Sequence, residues 1–262
     1  MDLQLKDKHV LVAGGSRGIG FACAHLFARE GARVTITSRT AAHLDAARKR
    51  LRKETGADVA VLTAELTDAQ AAASVVGTAE AIAPVDILVN SAGAALRTPY
   101  TELTPAAWEA AMRAKFFTYI NVMDPLVKRM GARGSGAIVN VIGMGGKVAS
   151  PTHLAGGAAN AALMLASAGL AAAWGAHGVR VNAVNPALTL TDRMAEGIAA
   201  EARLRGITEA EVLKQAAARA PLGRIASPED IADAVVFLAS PRSAYISGAI
   251  VSMDGGSVPM VV

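Results

Sequence analysis

The segment Val10–Gly20 constrains the fold of this chain more than any other stretch. A short apolar run stops at glycines, and a helix-compatible segment, Phe21–Arg29, follows directly. Gly14, Gly18 and Gly20 allow the backbone to turn tightly and to approach a pyrophosphate, whose charge would meet unpaired N–H groups at the helix start. A glycine-rich turn alone is a weak signal, but its position between a strand and a helix predicts a phosphate-binding turn.

The rest of the chain alternates short apolar strands with helices. Continuous apolar runs such as Ile87-Leu88-Val89 are typical of strands that helices cover on both faces. No break in composition and no internal repeat divides the chain, so the sequence predicts one α/β domain, residues 1–262, with a doubly wound parallel β-sheet. In such a sheet, ligands bind beyond the carboxyl ends of the strands. Strands are predicted at about 8–13, 33–38, 58–63, 86–90, 136–142, 179–185 and 248–252.

Composition bears on the partners and the compartment. The single cysteine, Cys23, excludes an intrachain disulfide, and residues 1–8 lack the apolar core of a secretion signal, so we expect a cytoplasmic protein. The net charge is +4, and the densest basic run is Arg48–Lys53. That run falls on a predicted amphipathic helix with Leu44 and Leu51 inward, which indicates a solvated face. No nucleic-acid partner and no metal site are predicted.

Two arginines near the predicted nucleotide site bear on the choice of cofactor. The second strand ends in Ser38-Arg39, where an NAD-selective protein usually has an acid that binds the ribose hydroxyls. Arg17 lies in the glycine turn and supplies a second guanidinium group. Planar guanidinium forks match the geometry of a phosphate, so the sequence favours NADP(H) over NAD(H).

Several motifs along the chain resemble those of the short-chain dehydrogenase/reductase family. Ala13–Gly20 is similar to its Thr-Gly-x-x-x-Gly-Ile-Gly, Asn90–Gly93 to its Asn-Asn-Ala-Gly, and Pro186–Thr191 to its Pro-Gly segment, with Ala13 and Ala187 replacing a threonine and a glycine. The resemblance covers nearly the whole chain and implies a Rossmann-type sheet with helices on both faces, a nicotinamide cofactor and usually a homotetramer. With the glycine turn and the two arginines, the expected cofactor-binding residues are Gly14, Ser16, Arg17, Gly18, Ile19, Gly20, Arg39, Glu65, Leu66, Asn90, Ala92, Gly93, Pro186, Thr189 and Thr191.

The four residues that carry the chemistry in that family are all replaced here. Its asparagine, serine, tyrosine and lysine positions fall on Lys115, Gly143, Gly156 and Asn160. The family's tyrosine moves a proton while hydride passes to or from the nicotinamide, and a glycine cannot do this.

Other side chains near those positions are the catalytic candidates. Lys115 and Asn160 restore a lysine and an asparagine in exchanged positions. His153 lies three residues before Gly156, so its imidazole could lean into the space that a tyrosine would fill. The alternative is that His153 only packs the start of a helix. We therefore expect His153, Lys115 or a water held by them and Asn160 to supply the proton, with His153 preferred and Lys115 second.

Two further segments bear on assembly and on substrate choice. No Asp, Glu, Lys or Arg lies between Lys147 and Arg180. A helix that is apolar all round is buried on all sides, so the helices at about 104–131 and 151–176 are expected in the interface of a homo-oligomer, a tetramer, with no role in a membrane. The charged segment at about 189–219 is expected to form a lid that selects a small-molecule substrate.

Three functions remain open from the sequence. The first is an NADP(H)-dependent oxidoreductase that acts on a carbonyl/alcohol pair with an atypical proton donor. The second is a non-redox isomerase, cyclase or lyase that reuses the pocket. The third is a cofactor-binding protein without turnover, acting as a sensor or a partner subunit.

Overall fold

The computed structural model describes residues 1–93 and 95–260, without the side chains at 193, 196, 197, 200, 201, 203 and 204. The strands are β1 His9–Ala13, β2 Arg33–Ser38, β3 Ala60–Thr63, β4 Ile87–Asn90, β5 Gly136–Val141, β6 Val179–Pro186 and β7 Ile250–Met253. The helices are α1 Gly18–Arg29, α2 Ala41–Thr55, α3 Ala69–Ile82, α4 Pro105–Ala111, α5 Thr118–Arg133, α6 Leu154–Trp174, α7 Asp192–Arg205, α8 Glu209–Ala217 and α9 Pro228–Ala239.

The strands form one parallel sheet in the order β3-β2-β1-β4-β5-β6-β7. This order confirms the predicted α/β fold class, and it reverses direction between β1 and β4, where a doubly wound sheet opens a ligand crevice. The predicted strand bounds agree to within two residues. The last strand begins at Ile250 and not at 248, because Gly248 has φ +81°, which is incompatible with an extended strand.

Hydrophobic residues of successive strand positions point to opposite faces of the sheet. Val10 and Val12 of β1 pack with Phe27 in the core on the side of α1 and α9. Leu11 packs with Leu126 in the core on the side of α3, α5 and α6. This alternation buries both faces, as expected for a parallel sheet with helices on both sides.

Two expectations about helix faces can be compared with the structure. Leu44 and Leu51 of α2 are buried, so the basic run lies on the outer face, as predicted. The apolar stretch Leu154–His177 is long and apolar enough to cross a membrane by length and composition alone. Leu163 and Ser167 of α6 are buried against the sheet, whereas Leu165 is 76% exposed in the single chain.

Candidate active site

The glycine turn after β1 packs directly on the chain that leaves β4. A Cβ built on Gly14 would lie 2.7 Å from Ala92 Cα, and Gly14 has φ +81°, so both space and conformation require glycine. Among the residues that the structure describes, no side chain caps the start of α1 and no acid lies in its first turn. The helix start therefore presents uncompensated N–H groups, which suits an anionic pyrophosphate.

Most of the expected cofactor residues lie around this turn. The Asn90 side chain is fully buried and donates to Asn140 Oδ1 at 2.9 Å, so it joins two strands and is not among the described residues that line a cavity. A Cβ on Gly20 would collide with the carbonyl oxygen of Gly14. The expected residues that line the cavities are Ser16, Arg17, Gly18, Ile19, Gly93, Pro186, Thr189 and Thr191.

The end of β2 carries an ion pair. Arg39 Nη1 lies 3.6 Å from Glu65 Oε2, and both side chains are largely exposed, so this pair stabilises little. Leu66 beside it is buried. Arg39 is not among the described residues that line either cavity.

A cavity of about 1090 Å³ extends from the glycine turn along the carboxyl ends of the strands. Gly18 lines one end of it. Lys115 lines it as well, whereas His153 and Asn160 are not among the described lining residues. Of the three catalytic candidates, Lys115 is therefore the one that a bound molecule in this cavity would touch.

Lys115 is positioned by a local irregularity between α4 and α5. Residues Met112–Phe117 form a π-helical turn, and Lys115 is 8% exposed. Its Nζ donates to Tyr119 Oη at 2.8 Å and to the Val141 carbonyl at 3.1 Å, and the Tyr119 hydroxyl also donates to that carbonyl. Burial raises the pKa of Tyr119, so this hydroxyl stays protonated and serves as a fixed support for the ammonium group.

Gly143, which the motifs align with the serine of the family, has an unusual backbone conformation. Gly143 has φ +131°, in the region that L side chains rarely adopt. A Cβ built there would lie 3.4 Å from Asn160 Nδ2. A serine at 143 would therefore be strained, and the buried Asn160 amide faces this glycine.

His153 fills the space beside Gly156. His153 stands at the N-cap position directly before α6, which begins at Leu154, about three residues after the start expected at about 151. A Cβ built on Gly156 would lie 2.7 Å from His153 Nδ1 and closer still to Cε1, and one on Gly145 would lie 2.9 Å from Cδ2. The imidazole is thus wedged between two glycines.

The surroundings of His153 favour its neutral form. Burial lowers its pKa, and the positive charges of Arg97 and Lys115 lower it further. Within the described chain, its buried Nδ1 has no hydrogen-bond partner. A neutral imidazole can donate or accept a proton. This one lies against Gly145 and Gly156 and is not among the described residues that line the cavity.

Sequence reasoning missed three residues of the site. Tyr119 lies four residues after Lys115, a helical spacing that was a usable signal. Arg97 and Arg219 line the cavity from the segment after Gly93 and from the end of the predicted lid. Their positions depend on loop conformations that no local pattern specifies. Among the residues described, no group of three or more His, Cys, Asp or Glu is placed to hold a metal ion.

Comparisons with known proteins address the family. A family model described as Enoyl-(Acyl carrier protein) reductase matches residues 13–257. Galactitol 2-dehydrogenase (L-tagatose-forming) of Cereibacter sphaeroides is 37% identical over 248 residues, 94% of this chain and 92% of that protein. The chain belongs to the short-chain dehydrogenase/reductase family. This confirms the resemblance seen in the motifs.

Other members of the short-chain dehydrogenase/reductase family are similarly close. D-threitol dehydrogenase of Mycolicibacterium smegmatis is 37% identical over 259 residues, 97% of this chain and 94% of that one. The crystal structure of L-sorbose reductase from Gluconobacter frateurii, complexed with NADPH and L-sorbose, has a TM-score of 0.94 at 29% identity and covers both chains fully. These relatives are oxidoreductases that act on alcohol and carbonyl groups, and the structural neighbour binds NADPH.

Proposed function

We propose that this protein is an NADP(H)-dependent oxidoreductase that interconverts a carbonyl and an alcohol. One observation carries the proposal: the uncapped, acid-free start of α1 and the buried ammonium group of Lys115 line the same cavity. A dinucleotide that binds its pyrophosphate at the helix start extends along the carboxyl ends of the strands. Its reactive end would then lie in the part of the cavity that Lys115 lines.

The preference for NADP(H) rests on two guanidinium groups. Arg17 lines the cavity beside the glycine turn, and Arg39 follows β2. A 2′-phosphate would pair with both, while the contact between Arg39 and Glu65 is exposed and inexpensive to break. The relatives support this proposal, since L-sorbose reductase is described with NADPH.

Lys115 is the proposed source of the proton in reduction. When bound, NADPH supplies the hydride that converts the carbonyl to an alcohol. The Lys115 ammonium, fixed by the Tyr119 hydroxyl and the Val141 carbonyl, stabilises the negative charge that develops on the substrate oxygen and transfers a proton to it. Lys115 then regains a proton from water. We infer a supporting role for His153, and Asn160 would hold water or substrate beside Gly143.

The proposal also includes a lid over the cavity, an oligomeric state and a cellular compartment. The segment at about 189–219 would act as a lid, because Met194, Ile198 and Val212 from its two helices line the cavity. The exposed Leu165 on the apolar helix α6 supports a homo-oligomer, proposed as a tetramer, in a cytoplasmic protein without membrane or nucleic-acid partners. The whole chain would form one domain.

The test measures cofactor binding before turnover. We expect calorimetry to show NADPH at least ten-fold tighter than NADH, a difference of about 1.4 kcal/mol, and Arg39→Ala to remove most of it. Arg29→Ala, an exposed arginine at the far end of α1, is the control. NADPH oxidation is then followed over a panel of ketones and ketoses. Equal affinity for both cofactors would refute the NADP(H) assignment.

A cofactor-binding protein without turnover is the second candidate. The backbone at Gly143 and the ring of His153 over Gly156 both obstruct the family's usual catalytic arrangement. Tight NADPH binding with no oxidation by any carbonyl compound would favour this function over the first.

A further inference from the structure

The large cavity has two ends that differ in charge. Arg17, Gly18 and Asp192 also line a smaller cavity of about 280 Å³ beside the glycine turn, so they mark the cofactor end. Among the described residues that line the large cavity, Asp192 is the only acid. The basic side chains that line the large cavity alone are Arg97, Lys115, Arg205 and Arg219. The described charged side chains that line only the large cavity are therefore all basic.

Arg97 is held close to the reacting region by a link between two loops. The Thr98 N–H donates to the Thr152 carbonyl at 3.1 Å, which ties the segment after β4 to the residues just before α6. The charge of Arg97 contributes to the lowered pKa of the neighbouring His153. Both observations place this guanidinium near the catalytic candidates.

Arg219 also lines the large cavity, from a different segment of the chain. It follows α8, and its N–H donates to the Ala216 carbonyl at 3.3 Å. A few residues later, the Leu222 N–H donates to the Gly255 carbonyl at 3.1 Å, which anchors the segment to the chain that leaves β7. Arg219 thus projects from a segment attached to the sheet.

Arg97 and Arg219 are not paired with an acid among the residues that the structure describes. In the part of the chain that the structure describes, the Arg97 and Arg219 guanidinium groups take part in no ion pair, whereas Arg48 and Arg133 are each paired with an acid. A concave site lined by one sign of charge concentrates oppositely charged ligands. The planar guanidinium group of an arginine can donate two parallel hydrogen bonds to the oxygen atoms of a carboxylate or a phosphate.

We propose that the substrate carries an anionic group, a carboxylate or a phosphate, that Arg97 and Arg219 bind. This inference rests on the proposed function, because it names the substrate class of the same site. A neutral ketose would leave both guanidinium groups without a partner. The anionic group would also orient the carbonyl toward Lys115, and the enzyme would discriminate against uncharged polyols and ketoses by charge.

The experiment compares matched neutral and anionic ketoses with NADPH. The probes are D-fructose as the neutral ketose, 5-keto-D-gluconate as the carboxylate and D-fructose 6-phosphate as the phosphate. We expect kcat/KM to be at least ten-fold higher for one of the anions than for D-fructose, and to fall with added salt for that anion. Arg97→Gln and Arg219→Gln should each lower it about 10- to 100-fold more for the anion than for D-fructose. Arg29→Gln, far from the cavity, should change neither.

The two anionic arms distinguish a carboxylate from a phosphate, and the outcomes separate the two proposals. If D-fructose is reduced as well as both anions and the two variants do not discriminate, the anionic substrate is wrong while the oxidoreductase function stands. If no ketose is reduced, calorimetric titration of the NADP⁺ complex with each anion still tests the inference. Weaker anion binding to both variants than to the wild type supports the anion site, and equal or undetectable binding overturns it.

Discussion

Replacing Gly156 with alanine tests whether the His153 ring fills the space beside this glycine. The new Cβ would lie 2.7 Å from His153 Nδ1, whereas carbon and nitrogen atoms pack comfortably at about 3.5 Å or more. The ring would have to move by roughly an ångström, and Gly145 lies close on its other side. Overpacking of this kind costs about 1–3 kcal/mol, while alanine in a helix gains about 1 kcal/mol over glycine.

Whether Gly156→Ala lowers or raises the free energy of unfolding depends on the presence of the His153 imidazole. In the wild type, Gly156→Ala should lower the free energy of unfolding by about 0–2 kcal/mol. In a His153→Ala background the obstruction is gone, so the same substitution should raise it by about 1 kcal/mol. The coupling between the two positions is then about 1–3 kcal/mol, which is within the range of a double-mutant cycle between contacting residues.

Urea denaturation of the four proteins at one fixed protein concentration measures this coupling, since assembly would otherwise shift the apparent stability. The matched control is Gly77→Ala in α3, where a Cβ would meet nothing within 4 Å. This control should stabilise both backgrounds equally. The reasoning would be refuted if Gly156→Ala stabilised the wild type as Gly77→Ala does, with a coupling below about 0.5 kcal/mol.

Two further predictions concern catalysis and pH. If the protein turns over, Lys115→Met should lower kcat by at least about 100-fold with little change in NADPH affinity, and His153→Ala should cost less; the reverse order would restore His153 as the donor. The His9 side chain is buried, and burial is the main cause that lowers the pKa of its imidazole in the folded protein. Below pH 6.5, the ordinary pKa of histidine, the unfolded chain therefore binds more protons than the folded protein does. The free energy of unfolding should therefore fall as the pH drops below that value, by at most about 1.4 kcal/mol per pH unit for this group, and His9→Gln should flatten the profile in urea titrations.

The sheet could be predicted because its signals are local. Each strand is a short apolar run, and the glycine turn lies at a fixed place between a strand and a helix, so Val10–Gly20 indicated both the fold and the phosphate site. The error at the last strand arose from Gly248, whose positive φ ends the extended conformation before Ile250. The sequence alone does not show whether a glycine adopts a positive or a negative φ.

The candidate active site was less predictable, because it depends on departures from regular structure. The π-helical turn Met112–Phe117 orients Lys115 toward Tyr119 and the Val141 carbonyl. The amino-acid composition of this turn does not distinguish a π-helix from an α-helix. The position of Arg97 depends on a backbone bond between Thr98 and Thr152, which lie far apart in sequence. Such contacts follow from tertiary packing and not from periodicity.

The residues that we propose for the catalytic positions depend on one another. The imidazole of His153 can lie against α6 only because residue 156 has no side chain, and the backbone at Gly143 adopts a conformation that a serine would find strained. Lys115 is buried, and the Tyr119 hydroxyl and the Val141 carbonyl hold its ammonium group. A tyrosine returned to position 156 alone would collide with His153. The contacts of these residues fit one another, and among the three proposed catalytic residues Lys115 is the one that lines the cavity.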